Sequence, residues 1–185
     1  VAKARHGDQT ACRELYDRHK SGIFTLALRL AGDRPEAEDL VQEIFIKAFR
    51  GLAGYRGGSS FPTWLYRIAL NCCRDKLRSK RKHAMVRLDR VEIASTAGQR
   101  RVELGRLLEQ AIAGLPEGCR EVFVLHDVQG MGHREIAGIL GCSEANVRSQ
   151  VWKARGKLRD MVAPRMEAEV YEVSELDREV AEPAG

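Results

Sequence analysis

Two groups of residues place cationic, donor-rich side chains at spacings that suit a polyanion. The first is Ser143, Asn146, Arg148, Ser149, Gln150, Lys153 and Arg155, which begins at the end of the short segment Gly141-Cys142-Ser143. Guanidinium, ammonium, amide and hydroxyl donors of this kind bond phosphate oxygens and the base edges displayed in a DNA major groove. The second is Arg74, Lys76, Arg78, Lys80, Arg81 and Lys82, opposed only by Asp75. Tyr55, Phe61, Trp64 and Tyr66 precede it. Cations beside aromatic rings suit single-stranded or melted nucleic acid, whose unstacked bases meet ring faces or apolar pockets. The same charges also fit the solvated end of a helix, and Phe61 and Trp64 fit core positions at helical spacing.

Covalent chemistry finds no support. The chain lacks the GxSxG, GxGxxG, HExxH and GxxxxGK patterns, so no nucleophile elbow, dinucleotide turn, zinc helix or phosphate loop is expected. His6, His19, His83, His126 and His133 are scattered, and none stands with a cysteine at metal-ligand spacing. Cys12, Cys72, Cys73, Cys119 and Cys142 contain no CxxC pair. Reduced, partly buried thiols in a cytoplasmic protein are the expectation. Neither catalysis nor a metal or cofactor is expected.

The elements that position the two cationic groups are helical. Cys12, Leu15, Tyr16, Ile23, Leu26, Ala27 and Leu30 line one side of a segment from about Asp8 to Leu30. Asp33 then offers an N-cap, Pro35 sits where a missing N–H costs nothing, and Glu36 completes a capping-box spacing. Ala37, Leu40, Val41, Ile44, Phe45, Ala48 and Phe49 give the next helix an apolar face, with Asp39, Gln42, Glu43 and Lys47 opposite. Gly51, Gly54, Gly57 and Gly58 break the chain into a loop. A third helix begins near Phe61 and buries Phe61, Trp64, Leu65, Ile68, Ala69 and Cys72. Its apolar stripe fades where Arg74 to Lys82 gather.

Periodicity lapses from His83 to Arg101, and Ala94-Ser95-Thr96-Ala97-Gly98-Gln99 reads as a linker. It resumes through Val102, Leu104, Leu107, Leu108, Ala111 and Ile112, then through Val122, Phe123, Leu125 and Val128. Two further helices, His133 to Leu140 and Glu144 to Met161, are joined by Gly141-Cys142-Ser143, the layout of a helix-turn-helix. Ile136, Ala137 and Leu140 face inward on the first; Val147 and Val151 anchor the second. Gly141 permits the left-handed backbone that ends the first helix, and Ser143 caps the second.

Charge supports a polyanionic partner for the body of the chain. The 185 residues include 31 Lys and Arg against 26 Asp and Glu, a net +5. From Met166 onward there are seven acidic residues and one basic, so the preceding part carries +11. The apolar stretches fall short of the roughly 18–20 residues of a membrane span. No secretory n-region and h-region open the chain. Membrane insertion and export are not expected.

These residues resemble a known family. Asp39-Leu40-Val41-Gln42-Glu43-Ile44-Phe45, Phe61-Pro62-Thr63-Trp64-Leu65-Tyr66-Arg67-Ile68-Ala69, Asn71 and Asp75 are similar to conserved region 2 of the extracytoplasmic-function (ECF, group 4) sigma factors of the sigma-70 family. Leu115-Pro116, Arg120-Glu121-Val122-Phe123, Glu135-Ile136-Ala137 and Val147-Arg148-Ser149 are similar to region 4 of the same group. The resemblance spans about Asp8 to Arg159. It implies an all-α chain of two small helical domains: region 2 at 1–82, a flexible linker at 83–101, region 4 at 102–163 and an acidic tail at 164–185. It further implies a subunit of bacterial RNA polymerase that directs promoter-specific initiation. Asp39, Gln42 and Glu43 would dock the core polymerase. Tyr55 in the Gly51–Ser60 loop, Asn71, Arg74, Lys76, Arg78 and Lys80 would hold the melted −10 element. Ser143, Asn146, Arg148, Ser149, Gln150, Lys153 and Arg155 would read the −35 duplex. An anti-sigma partner, with a cytoplasmic location at times held at the inner membrane by that partner, is part of the same expectation. The rival readings are a stand-alone regulator using only the carboxyl-terminal hairpin and a redox-responsive interaction protein resting on the cysteines. The tail reads as a disordered appendage or as a phosphate mimic that screens the basic domain.

Overall fold

The computed structural model describes the backbone of residues 1–83 and 99–181 and the side chains of residues 1–80 and 105–164. The linker expected around 94–99 therefore lies largely outside the described residues, as do the side chains of Arg81 and Lys82 and the acidic side chains after Arg165. Among the described residues every regular element is helical, as expected of an all-α chain.

Local chemistry sets the helices of the first domain. After a single turn, α1 (Ala2–Arg5), comes α2 (Gln9–Ala31), where Asp8 accepts a bond from the Ala11 N–H at 3.0 Å. Gly32 closes α2 with a φ of 76°, a left-handed conformation that an L side chain resists. Asp33 then caps α3 (Arg34–Gly51), accepting from the Glu36 N–H at 3.3 Å, with Pro35 in the first turn. The Glu36 carboxylate does not complete the expected capping box; it turns to Lys76 and Lys80. A short 3-10 turn (Leu52–Gly54) opens the glycine-rich loop, and Ser60 caps α4 (Phe61–His83) through the Thr63 N–H at 3.2 Å.

Three amphipathic helices bury one stripe each. Leu15, Ile23, Leu26, Ala27 and Leu30 from α2 meet Ala37, Leu40, Val41, Ile44, Phe45 and Ala48 from α3. Phe61, Leu65, Tyr66, Ala69, Leu70, Cys72 and Cys73 from α4 complete the core. Trp64 and Ile68 are half-buried at its edge. The adjacent Cys72 and Cys73 are both buried, and all five cysteines are free thiols.

The second domain is built from α5 (Gln99–Gly114), α6 (Glu117–Phe123), a wide π turn (Val124–Val128), α7 (His133–Leu140) and α8 (Glu144–Ala181). The single helix expected through Val128 thus changes hand-hold at Val124. Gly141 ends α7 at a φ of 69°. Ser143 caps α8, its Oγ accepting from the Asn146 N–H at 3.2 Å. Ile139 joins Ile136 and Ala137 in the core, with Leu140 half-buried against it as expected, and Leu108 is 43% exposed. The tail departs from the disordered reading: α8 continues through Pro164 to Ala181. Residues 165–181 contain five Glu and neither Gly nor Pro, a composition that favours continuation past one proline. Among the described residues no helix is long and apolar enough to cross a membrane.

Candidate nucleic-acid interface

The face of α8 is created by the register that buries its other side. Val147, Val151, Ala154 and Leu158, at successive steps of four, three and four residues, are at most 7% exposed. That stripe clamps the helix to α6 and α7, and it forces the intervening positions outward. Asn146, Arg148, Ser149 and Lys153 are all exposed, as expected, alongside the capping Ser143. Among the described residues no ion-pair partner engages Arg148 or Lys153.

Two members of the predicted set are arranged differently. Gln150 is half-buried, and its Oε1 accepts from the Cys119 thiol at 3.0 Å, so its amide is turned toward the domain interior. Arg155 is exposed but tied to Asp127, with Nε donating at 3.1 Å, and that bond raises its pKa. Sequence reasoning also missed Trp152. It is 77% exposed, the most exposed large apolar side chain described, and it lies between Ser149 and Arg155 on the outer face. The signal was present: the 147-151-154-158 stripe leaves position 152 pointing away from the core.

The cationic end of α4 has a different character. Arg74 Nε and Nη2 donate to the two oxygens of Glu121, each at 2.6 Å, and this fork raises the Arg74 pKa. Lys76 Nζ lies 3.7 Å from Glu36 Oε1, and Lys80 contacts the other oxygen of the same carboxylate. Arg78 stands 3.8 Å from Asp75. Each of these four cations therefore has an acidic neighbour. Asn71 is exposed one turn earlier. Tyr55 is half-buried, with its hydroxyl donating to the Ser59 carbonyl at 2.5 Å. Its ring sits 5.2 Å from Trp64 and 6.1 Å from Phe61, centroid to centroid, so Tyr55 braces the loop within an aromatic cluster.

A third face lies on α3. Asp39, Gln42 and Glu43 are exposed together, and Ile46, 50% exposed, falls on the same side at the i, i+3, i+4, i+7 spacing. Ile46 was also missed, because it adjoins the buried run Ile44-Phe45 and reads as core in composition. Glu43 is bonded by Lys47 at 2.6 Å, which raises the Lys47 pKa, and Lys47 also approaches the Cys72 sulfur at 3.5 Å. Among the described residues there is no group of three or more His, Cys, Asp or Glu able to hold a metal ion.

Comparison with known proteins agrees with the two-domain helical fold. Residues 15–83 match the Sigma-70 region 2 model and residues 105–158 a Sigma-70 region 4 model. The chain is 32% identical over 182 residues to the RNA polymerase sigma-H factor of Pseudomonas aeruginosa, covering 89% of this chain and 92% of the relative. It is 33% identical over 180 residues to the ECF RNA polymerase sigma-E factor of Escherichia coli K12, covering 89% and 93%. Among solved structures, CnrH in complex with the cytosolic domain of CnrY aligns with a TM-score of 0.71 at 30% identity, over 88% of this chain and 94% of that one. The sigma factor RpoE in complex with the anti-sigma factor NepR from Bartonella quintana shares the fold, with a TM-score of 0.67 at 22% identity over 82% and 96%. The helical domains built around α4 and α8 are sigma regions 2 and 4, and the chain belongs to the extracytoplasmic-function RNA polymerase sigma factors.

Proposed function

We propose that this chain binds core RNA polymerase in the cytoplasm and directs it to promoters, with region 2 at 1–82 and region 4 at 102–163 dividing the work. The observation that carries the reading is the outer face of α8, where Asn146, Arg148, Ser149, Trp152 and Lys153 project from a helix locked by Val147, Val151 and Ala154. A helix of this kind enters a major groove. Arg148 and Asn146 suit base edges, Lys153 and the capped amino end of α8 suit phosphates, and Trp152 offers apolar contact to a thymine methyl. Gln150 and Arg155 act from behind as supports, through Cys119 and Asp127.

Asp39, Gln42, Glu43 and Ile46 form the surface offered to the polymerase, an acidic face with an apolar residue at its carboxyl-terminal end on an otherwise basic body. Asn71, Arg74, Lys76, Arg78 and Lys80 hold the melted −10 strand, with Tyr55 bracing the loop that approaches its bases. No step of this work is covalent. Melting is favoured to the extent that the chain binds the open promoter more tightly than the closed one. An anti-sigma factor is a further partner, by likeness to the NepR-bound relative.

The test is transcription from a promoter-fragment library with purified core polymerase, with and without the chain. Starts that appear only with the chain and share spaced −35 and −10 elements support the reading. Specific duplex binding by the free chain with no new starts would favour a stand-alone regulator instead.

A further inference from the structure

The buried apolar residues of the two domains form one continuous cluster, and a set of polar groups links the domains beside it. Arg67 Nε donates to the Gly138 carbonyl of α7 at 2.9 Å. The Tyr66 hydroxyl donates to Gln129 Oε1, and Gln129 Nε2 in turn donates to the Gly22 carbonyl at 3.0 Å. Arg29 of α2 pairs with Glu109 of α5. The fourth link is the Arg74–Glu121 fork. Polar links of this kind are common in interfaces that part when a partner competes for their groups.

Glu121 is the unusual member. Its side chain is only 4% exposed, although it belongs to the domain whose α8 face is cationic. Among the described residues its one ion-pair partner is Arg74, which lies in the other domain. A buried carboxylate without a cation in its own domain is poorly placed for that domain standing alone. Arg74 is the complementary case. Its planar donors make two parallel bonds to two oxygens, the geometry in which a guanidinium also grips a phosphate.

We propose that Glu121 is an internal stand-in for a DNA phosphate: in the closed chain it occupies the guanidinium fork of Arg74 and withholds that cation from melted DNA, while the outer face of α8 stays open. The inference rests on the reading of Arg74 as a −10 contact. It makes the closed chain competent for duplex and incompetent for the unpaired strand until the domains part. The apparent affinity for single-stranded DNA is then reduced by the fraction of chains that are open.

The experiment compares the full chain with Glu121→Gln and Arg74→Ala. The probes are a labelled single-stranded oligothymidylate and a labelled mixed-sequence duplex, and the radius of gyration is followed by X-ray scattering. Glu121→Gln is expected to expand the chain and to tighten oligothymidylate binding by about three- to tenfold, the gain when a tenth to a third of chains are open beforehand. Duplex binding is expected to stay put, which separates release of Arg74 from a general loss of negative charge. Arg74→Ala expands the chain and weakens oligothymidylate binding. A folded Glu121→Gln chain that binds the single strand no better than the parent overturns the proposal, as does an equal gain on duplex. If Glu121→Gln fails to fold, Glu121→Asp, which shortens the carboxylate and breaks the two-bond fork while keeping its charge, takes its place: tighter single-strand binding supports the proposal and unchanged binding overturns it. Failure of the −10 reading has its own signature: Arg74→Ala then binds oligothymidylate and initiates as the parent does, which removes the latch as well.

Discussion

The cations of α4 and those of α8 have the same chemistry and opposite availability. On α8, Arg148 and Lys153 stand outside a buried stripe with no acidic partner among the described residues. On α4, Arg74, Lys76, Arg78 and Lys80 each meet a carboxylate, and two of those carboxylates, on Glu36 and Glu121, belong to buried residues. Positive charge alone identifies a polyanionic partner. Whether a charge is ready for that partner depends on what the fold has already set against it. On the function proposed above, one face is poised for duplex as it stands, and the other must exchange internal partners for phosphates.

The largest effect expected of that difference is on duplex recognition. Arg148→Ala removes an unpaired cation suited to bidentate contact, so affinity for a −35 duplex should fall by about 1–3 kcal/mol, roughly fivefold to 150-fold. Arg74→Ala should leave the same measurement unchanged. Equal losses in a fluorescence anisotropy titration would erase the contrast between the two faces. A smaller effect separates neighbours on α8. Lys153→Ala should lower the salt slope of duplex binding by about 1, whereas Trp152→Ala should weaken binding severalfold and leave the slope intact. A reduced slope for Trp152→Ala would show that the variant had shifted the helix rather than removed an apolar contact.

On α4 the expected change is smaller again and opposite in sign. Glu36→Gln frees Lys76 and Lys80, whose side chains are 43% and 46% exposed and so lose only a screened attraction. Stability should drop by about 0–1 kcal/mol in urea unfolding, and single-strand binding should become more salt-dependent. An unchanged salt slope would mean that the two lysines do not reach the strand even when released.

Local features were legible because they are written in local chemistry. Asp33 with Pro35, Gly141 and Ser143 mark helix ends through caps and a left-handed φ, and the structure places them at those ends. The 147–151 spacing likewise disclosed which side of α8 is buried. Features that depend on a distant partner were not legible. Arg74 and Glu121 are 47 residues apart, and nothing in the periodicity of either helix announces their pairing. Gln150 reads as outward by composition and turns inward only because Cys119 is there to bond it. Ile46 and Trp152 were hidden for the converse reason: an apolar residue beside a core stripe is assumed to belong to it, although both lie off the stripe.

A dependence on pH again sets the first domain apart. Burial pushes the Cys73 thiol up to about 12, and burial likewise pushes the Tyr66 phenol up to about 12. Folding therefore favours the protonated form of both groups. Their contribution is fully present below the ordinary thiol and phenol values, 9.0 and 10.0, and is lost as pH rises from there toward 12. Tyr66 also donates to Gln129 across the domain seam, so its ionisation removes a link between the domains as well as a neutral group from the core. Trp64 packs beside this core and Trp152 stands in water on α8. In a Trp152→Phe chain, Trp64 fluorescence should report a falling urea midpoint between pH 9 and pH 11. Tyr66→Phe, which cannot ionise, should flatten part of that decline. A midpoint independent of pH across this range would mean that both groups gain solvent before the domain unfolds, and that the seam around Tyr66 opens more readily than the core beneath it.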